Sequence, residues 1–353
     1  MKKPKAFFVF PLVLGSMLSL LNLGCRKNAE DPLLPDTLGK VEVYAHRGAR
    51  SYAPENSIPG YTSGLAIGTD WVDMDIVMSK DGEVVVSHDI RIQPDIVRGS
   101  DGKFITERKL VKTLTLDELK KYDVGRMNLT SAYSKFFPAQ LGMDGVTMPT
   151  LREVIHFVNG KTGRKVGFQI EFKTDPEHND WTFTPAEFAA ALYKILKEEN
   201  IVTICEIQSF DWRCLYEIQK LDPRIKTAYL TEWDNYPGTP YSFFDPDPVK
   251  AGLWTGGILV KDHKNSIPQM VKDMGGTCWE PEDVELTKAT LDEAHRLRLK
   301  VVVWTWPEHS GTTFDVNLVS KLIDWGVDGI ITDDPGMLIS MLAARNYSLP
   351  TRY

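Results

Sequence analysis

Short apolar runs rich in β-branched residues alternate with segments of helical periodicity along most of the chain. The runs that we expect to form strands are Val41–His46, Trp71–Met78, Val84–His88, Val166–Phe172, Cys205–Phe210, Thr227–Leu230, Ile258–Val260, Thr277–Trp279, Val301–Trp306 and Gly329–Thr332. The segments that we expect to form helices are Ile58–Ile67, Leu151–Asn159, Pro185–Glu199, Arg213–Leu221, Ile267–Met274, Lys288–Leu299 and Asn317–Trp325. Such alternation indicates a parallel sheet, because parallel neighbours need a crossover connection.

The length of the alternating region favours a closed barrel. Over roughly 300 residues, the first choice is an α/β fold, a single (β/α)8 TIM barrel spanning residues 41–345. A doubly wound open sheet is the alternative. No Gly-x-Gly-x-x-Gly segment follows an early strand, which weakens a dinucleotide-binding version of the open sheet.

Ten apolar runs exceed the eight strand positions of such a barrel. Val84–His88 follows the second run through Lys80-Asp81-Gly82, whose Asp-Gly pair is typical of a hairpin, so we expect an accessory strand there. Ile258–Val260 is the second candidate for a strand outside the barrel. Residues 90–149 break the alternation, and so long a connection is usually functional or a subdomain. We predict a small insertion subdomain after the second strand region, capping the barrel mouth.

The N-terminus has the pattern of an export signal. Lysines precede the apolar run Ala6–Leu23, so we predict a signal peptide over residues 1–25, with a buried helix or a permanent anchor as the alternative. Leu23-Gly24-Cys25 resembles the end of a bacterial lipobox, although Asn22 departs from that pattern. The resemblance implies a lipid anchor to the membrane through Cys25. We then expect a periplasmic or cell-surface bacterial lipoprotein, or otherwise a secreted protein, with a polar tether at 26–40 and a C-terminal tail at 346–353.

Composition excludes several classes of protein. The 353 residues are 42% hydrophobic and 25% charged, which is ordinary for a globular chain. With 41 Lys plus Arg against 48 Asp plus Glu, the net charge of −7 predicts no nucleic-acid partner. Four cysteines are too few for a disulfide framework. Cys205 and Cys214 could pair, and buried free thiols are equally compatible with the sequence.

Polar side chains collect at the predicted strand ends, where barrel enzymes place their active sites. The first run ends in His46 and Arg47, an acid/base group beside an anion clamp. Asp73 and Asp75 alternate on the second run and therefore project to one face. Because two buried carboxylates repel, they favour a divalent cation with hard oxygen ligands, Ca²⁺ or Mg²⁺. Solvent exposure at a strand end is the alternative.

Later strand ends extend this set. His88 closes the accessory run, and Glu171 and Lys173 share one face of a later apolar strand. Near the C-terminus the sequence also carries Trp306 and Asp333, for which we favour core packing and a helix-capping turn. His88 supplies a second imidazole, Glu171 a third carboxylate and Lys173 a second cation.

This set of groups suits hydrolysis of a phosphate diester. A metal would polarise a non-bridging oxygen, two cations would hold the anion, and two histidines would remove and donate protons. The chain lacks a Gly-x-Ser-x-Gly elbow and closely spaced Cys/His zinc ligands. A glycosidase would need two carboxylates at a barrel mouth but no pair of strand-end histidines beside two cations.

Five motifs within 44 residues resemble the N-terminal signature of glycerophosphodiester phosphodiesterases, and they are His46-Arg47-Gly48, Pro54-Glu55-Asn56-Ser57, Asp73-Met74-Asp75, Ser79-Lys80-Asp81-Gly82 and His88-Asp89. The resemblance continues to about Leu342. It implies a TIM barrel that hydrolyses glycerophosphodiesters to sn-glycerol 3-phosphate and an alcohol, with one bound divalent metal. The family usually has Glu-x-Asp where this chain has Asp73-Met74-Asp75. Because Asp is one methylene shorter than Glu, we expect Asp73 to reach the metal through water or after a small backbone shift.

The resemblance also implies residue roles. It implies that His46 and His88 are the acid/base pair and that Asp73, Asp75 and Glu171 are metal ligands. It implies that Arg47 and Lys173 bind the phosphate and that Trp304 lines the substrate site. Glu55 would be an acidic residue of the active-site loop that does not contact the metal directly. Ca²⁺ is favoured over Mg²⁺ because the donors are all oxygen and calcium is plentiful outside the cell.

Several alternatives stay open from the sequence. The nucleophile is either water or the glycerol 2-hydroxyl, which would form a cyclic phosphate first. A related barrel phospholipase acting on lysophospholipid or sphingomyelin would use the aromatic pairs Phe136-Phe137 and Tyr241-Ser242-Phe243-Phe244 as contact points. An inactive barrel used as a binding module is the third reading.

Overall fold

Eight parallel strands form a closed ring in the computed structural model, which describes residues 39–232, 243–307 and 311–353. The barrel strands are β1 (Glu42–Ala45), β2 (Trp71–Met78), β4 (Gly167–Phe172), β5 (Cys205–Ser209), β6 (Lys226–Thr231), β7 (Cys278–Pro281), β8 (Lys300–Trp304) and β9 (Gly329–Thr332). The ring closes because β1 pairs in parallel with both β2 and β9. This confirms the predicted (β/α)8 TIM barrel and excludes the open sheet.

The accessory strand lies outside the ring. β3 (Val84–Val86) pairs antiparallel with β2, with Met78 opposite Val84. Gly82 in the connecting turn has φ +84°, a conformation that glycine adopts without strain. The short hairpin therefore carries the chain from the barrel into the insertion.

The prediction of a strand at Ile258–Val260 is wrong. A 3₁₀ turn, Val260–His263, starts there instead. Gly256 and Gly257 both have positive φ and turn the chain just before this segment. Of the three apolar residues after this turn, only Val260 is buried. The apolar run therefore reflects the packing of one side chain and not a strand.

Helices connect the strands and surround the barrel. They are α1 (Ile58–Ile67), α2 (Leu116–Leu119), α3 (Leu151–Thr162), α4 (Pro185–Glu198), α5 (Trp212–Leu221), α6 (Pro248–Ala251), α7 (Ile267–Asp273), α8 (Lys288–Arg296), α9 (Val316–Trp325) and α10 (Pro335–Ala344). Thr150, Thr184 and Thr287 form capping boxes at the starts of α3, α4 and α8. The sequence analysis missed α10, because its residues are apolar on most sides and lack a helical stripe.

Apolar packing is divided among three clusters. The largest lies between the barrel and its helices, and the insertion has a small core of its own that includes Val97, Leu119 and Val146. A third cluster fills the barrel interior with Tyr44, Leu230, Val302 and other strand side chains. The interior is therefore a packed core, and open space for a ligand is left to the mouth.

Cys205, Cys214 and Cys278 are all buried free thiols, so Cys205 and Cys214 do not pair. The predicted signal peptide, Cys25 and all but the last two residues of the tether lie outside the described residues. Within the described part of the chain, no helix has the length and apolarity needed to cross a membrane. The C-terminal tail packs on the barrel unit, and the Tyr353 amide donates to the Leu65 carbonyl at 2.9 Å.

Candidate active site

The first and last barrel strands meet at a histidine–carboxylate pair. His46 follows β1, and its Nδ1 lies 2.6 Å from Asp333 Oδ1 after β9. Asp333 also accepts hydrogen bonds from Nε and Nη2 of Arg50, at 2.6 and 3.1 Å. Burial lowers the pKa of His46 to about 4, with Arg50 and Arg47 adding to the decrease and Asp333 opposing it. His46 is therefore held neutral, with its Nδ1–H directed at a buried carboxylate.

Asp333 was predicted to belong to a capping turn, and this prediction is wrong. Asp334, the next residue, is the N-cap of α10 and accepts from the Met337 amide. Asp333 is fully buried and contacts His46 and Arg50. The sequence signal was available, because Asp333 stands at the carboxyl end of a barrel strand.

Arg47 sits in a left-handed turn that points its backbone and side chain at carboxylates. Its φ is +48°, and its amide donates to Asp73 Oδ1 at 3.0 Å. Its guanidinium donates to Glu55 Oε1 at 3.0 Å and lies 3.4 Å from Asp75 Oδ2. Trp306 flanks the guanidinium at 5.7 Å from the ring centroid. These four contacts fix the buried Arg47 at the mouth of the barrel.

Strand register brings the other candidate residues together. Asp75 on β2 lies opposite Glu171 on the adjacent strand β4. The Lys173 ammonium bridges the two, 3.1 Å from Asp75 Oδ1 and 2.5 Å from Glu171 Oε1. Asp73 points to the same face of β2 as Asp75, two residues before it, and lies opposite Gln169. Residues far apart in sequence therefore form one polar cluster.

The protonation of these carboxylates reflects an excess of negative charge. Burial and then the charge of Asp75 raise the pKa of Asp73 to about 7. Burial raises the pKa of Glu171 to about 8, with Asp75 adding to the increase and Lys173 opposing it. Burial also acts on Asp75, but Lys173, His88 and Arg47 hold its pKa well below the usual range.

The donor set of this cluster fits a divalent cation. Four buried carboxylates, those of Asp73, Asp75, Glu171 and Glu55, lie among three cations, Arg47, Lys173 and Arg50, the last of which also pairs with the buried carboxylate of Asp333. All of the carboxylate donors are oxygens, which suit Ca²⁺ or Mg²⁺. A charge of +2 would balance the excess and lower the raised pKa values of Asp73 and Glu171.

His88 approaches the same mouth from the hairpin side. Its side chain is about one quarter exposed, its Nδ1 lies 3.4 Å from Asp89 Oδ1, and its ring is 6.4 Å from Trp306. Burial, Arg47 and Lys173 lower its pKa, while Asp75 and Asp89 oppose the decrease. Trp306 therefore stands between His88 and Arg47, a position at the site that we had assigned to core packing.

Trp304, which was expected to line the substrate site, is buried in the barrel interior. It is only 8% exposed, and its indole Nε1 donates to the carbonyls of Thr231 and Glu280 at 3.1 and 3.2 Å. Its ring packs edge-on against Trp306 at 6.4 Å. Trp304 supports Trp306, and Trp306 is the tryptophan beside Arg47 and His88.

Two amide side chains complete the cluster and were not singled out from the sequence. Asn56 Nδ2 donates to Asp75 Oδ2 at 2.8 Å, and Gln208 Nε2 donates to Asp73 Oδ2 at 2.6 Å. Each amide fixes one carboxylate that the sequence analysis had assigned to the metal. Both residues lie within motifs that carry the family resemblance, which was the signal available for them.

A closed barrel with two imidazoles, an arginine, a lysine and a carboxylate cluster at its mouth defines an enzyme of the phosphoric diester hydrolase class. The model of the glycerophosphoryl diester phosphodiesterase family matches residues 46–337. The chain belongs to that family. Its family assignment thus confirms the resemblance drawn from the motifs.

Individual relatives agree with this assignment. A glycerophosphodiester phosphodiesterase from Caldanaerobacter subterraneus is 26% identical over 304 residues, covering 86% of this chain and 98% of its own. A crystal structure of a candidate glycerophosphoryl diester phosphodiesterase from Silicibacter pomeroyi has a TM-score of 0.76 at 28% identity, covering 89% of this chain and 96% of that one. A phosphodiesterase from Oleispira antarctica, solved with the product sn-glycerol-3-phosphate, shares the fold, with a TM-score of 0.59 at 21% identity over 88% and 97% of the chains.

Proposed function

We propose that this protein hydrolyses glycerophosphodiesters to sn-glycerol 3-phosphate and an alcohol. The observation that carries the proposal is the convergence of the His46–Asp333 pair and the Arg47–Glu55 clamp on one barrel mouth. The first supplies a neutral imidazole and the second a fixed cation for the phosphate. The Oleispira protein, which shares the fold, was solved with the expected phosphate product.

Asp73, Asp75 and Glu171 would hold one divalent cation. When bound, it supplies Lewis-acid polarisation of a non-bridging phosphate oxygen. Ca²⁺ is favoured and Mg²⁺ is the alternative, because every donor is an oxygen and an exported protein meets abundant calcium. Asn56 and Gln208 support this role, since each holds a carboxylate in place by a hydrogen bond.

His46 serves as the general base in this proposal. Its Nδ1–H is engaged by Asp333, so the lone pair lies on Nε2, where it accepts a hydrogen bond from Arg47 Nε at 3.3 Å. This long hydrogen bond gives way when Nε2 takes a proton from the nucleophile. A pKa of about 4 keeps that lone pair available at neutral pH. The nucleophile is either water or the glycerol 2-hydroxyl, and the base does the same work in both routes.

His88 protonates the leaving alcohol. It faces the cluster from the end of the β2–β3 hairpin, and its partial exposure lets it exchange a proton with solvent. Burial, Arg47 and Lys173 lower its pKa, and Asp75 and Asp89 limit that decrease, so His88 would take up its proton from solvent before it delivers the proton to the leaving alcohol. Arg47 and Lys173 neutralise the phosphate between the two histidines.

A lipid substrate receives less support than a deacylated one. Of the aromatic residues considered as lipid contacts, Phe137 and Phe243 are buried, Phe136 is half-buried and Phe244 is 55% exposed. Tyr241 and Ser242 lie outside the described residues. One exposed aromatic side chain makes a small apolar surface for an acyl chain.

A glycerol 3-phosphate release assay tests the proposal. We expect turnover of glycerophosphocholine and glycerophosphoethanolamine by the full chain, and loss of about 1,000-fold or more in His46→Ala. A strong preference for lysophosphatidylcholine would favour the phospholipase alternative. Equal activity of wild type and His46→Ala would contradict the assignment of the base and revive the inactive binding module.

We further propose that the chain is exported and lipid-anchored at Cys25. The supporting pattern is the basic start, the apolar run and Leu23-Gly24-Cys25. Expression in a bacterial host followed by membrane fractionation tests it, with Cys25→Ala as the comparison. Recovery of wild type in membranes and of Cys25→Ala in the soluble exported fraction is expected, whereas cytosolic wild type would contradict export.

A further inference from the structure

A tyrosine of the insertion contacts the active-site loop. Tyr133 lies in the 3₁₀ turn Tyr133–Lys135, and its hydroxyl donates to Glu55 Oε2. Burial, followed by the negative charge of Glu55, raises the pKa of Tyr133 well above its usual value, so the hydroxyl keeps its proton. No motif of the sequence analysis pointed to this residue.

Glu55 divides its two oxygens between two partners. Oε1 accepts from Arg47 Nη1 at 3.0 Å, while Oε2 accepts from Tyr133 and lies 3.7 Å from Arg50 Nη1. The carboxylate is 6% exposed. Burial alone would raise its pKa, but Arg47 and Arg50 lower it, so Glu55 is ionised and needs hydrogen-bond donors on both oxygens.

Residues that follow Tyr133 in the insertion also contact this loop. We call residues 133–141 the strap. Gln140 Nε2 donates to the Arg50 carbonyl at 2.7 Å, and the Leu141 amide donates to the Tyr52 carbonyl at 2.9 Å. Phe137 packs on the guanidinium of Arg50 at 4.6 Å. The strap therefore holds the Tyr133 ring in a defined place above Glu55.

We propose that Tyr133 is a positioning residue that fixes Glu55, and through it the guanidinium of Arg47, in the orientation that grips the substrate phosphate. The inference rests on the proposed function for the identity of the substrate. It gives the insertion a part in catalysis that its own small core does not require.

The hydrogen bond from Tyr133 to Glu55 affects Arg47 because Arg47 has more than one carboxylate partner. Arg47 Nε already lies 3.4 Å from Asp75 Oδ2. When Oε2 loses the Tyr133 donor, Glu55 is free to turn toward Arg50, which is its other neighbour on that oxygen. Asp75 is then the one carboxylate paired with the Arg47 guanidinium, which turns toward Asp75 and away from the phosphate.

Removing only the phenolic oxygen tests the proposal. We expect Tyr133→Phe to raise both the Kd for inorganic phosphate, measured by calorimetry, and the KM for glycerophosphocholine by about three- to tenfold. The kcat should change by less than about twofold, because the clamp contributes to binding in both the ground state and the transition state. Unchanged Kd and KM would overturn the proposal.

A matched tyrosine of the same insertion serves as the control. Tyr122 packs against the insertion's own core, so Tyr122→Phe should leave the Kd and KM at wild-type values. Equal losses in the two variants would assign the effect to general loosening of the insertion and overturn the positioning role.

A second background keeps the test decisive if Tyr133→Phe lowers the melting temperature. In Glu55→Gln, the Tyr133→Phe change should have no further effect on the phosphate Kd, because the two residues act in series. A further loss of the same size would contradict the proposal. If the full chain binds phosphate but releases no glycerol 3-phosphate, the proposed function fails, while the phosphate titrations still decide the role of Tyr133.

Discussion

Asp333, at the end of the last barrel strand, accepts a hydrogen bond from Nδ1 of His46, at the end of the first strand, 287 positions away in the chain. Closure of the barrel places these strands side by side, with Ala45 opposite Thr332. The pair fixes the proton on Nδ1, so Nε2, which accepts from Arg47 Nε at 3.3 Å, is the nitrogen with the lone pair that the proposed base needs.

Replacing the carboxylate of Asp333 should lower the activity but leave the folding of the protein unchanged. We expect Asp333→Asn to lower kcat by at least about 100-fold, because an amide can present an N–H to the ring and favour the wrong tautomer. The measurement is steady-state hydrolysis of glycerophosphocholine. Asp334→Asn, which keeps a good N-cap for α10, is the control and should retain most of the activity. Similar kcat values in the two variants would contradict the assigned role of Asp333.

The low pKa of His46 makes stability depend on pH. The unfolded chain takes up this proton near pH 6.5, whereas the folded chain does so only near pH 4. Stability is therefore lost as the pH falls from 6.5 to 4, by up to about 3 kcal/mol. Urea unfolding at pH 7.5 and 4.5 measures the change, which should be smaller in His46→Asn. An identical pH dependence in wild type and variant would rule out His46 as its source.

Removal of divalent cations should abolish hydrolysis. We expect a chelator to reduce activity by more than about 100-fold and added Ca²⁺ to restore it, because the carboxylate cluster carries uncompensated charge. In Asp75→Asn the Ca²⁺ concentration for half-activation should rise by about 10-fold or more. Asp101→Asn, at an exposed position of the insertion, should behave as wild type. Full activity after exhaustive chelation would refute a metal requirement.

A second carboxylate pair lies inside the barrel, below the candidate active site. Glu206 and Glu280 are fully buried, Gln169 donates to Glu280, and Lys300 Nζ lies 3.4 Å from Glu206 Oε2. Burial, and next the charge of Glu206, raise the pKa of Glu280 well above its usual value. The folded protein therefore holds a proton on Glu280 that the unfolded chain releases near pH 4.5.

Stability should consequently fall as the pH rises above 4.5, and Glu280→Gln should remove this loss because the amide has no proton to give up. We expect the variant to melt at the wild-type temperature at pH 5 and higher at pH 8.5, by about 2 °C for each kcal/mol gained. Thermal unfolding at both pH values measures the difference, with the exposed Glu83→Gln as the control. A melting temperature below that of wild type at pH 8.5 would contradict a protonated Glu280.

Much of the site was predictable because strand ends converge in any parallel barrel. His46 and Glu171 lie at the carboxyl ends of predicted strands, Lys173 follows one directly, and Asp75 lies in the carboxyl half of another. The structure gathers the four into one cluster. The error at Ile258–Val260 has the opposite cause, since three apolar residues do not distinguish a strand from a turn with one buried side chain.

The order of apolar runs and helical segments by itself determined a parallel α/β sheet and favoured the barrel, because period and spacing are local properties that the chain carries wherever it folds. Only the pairing of β1 with β9 decided that the sheet closes. The pairing of His46 with Asp333 and the reach of Tyr133 from the insertion to Glu55 were decided only by tertiary structure. Both contacts join segments whose separation in sequence gives no signal of their distance in space. The geometry of the His46–Asp333 contact depends on closure of the barrel. The geometry of the Tyr133–Glu55 contact depends on the contacts of the strap with the active-site loop.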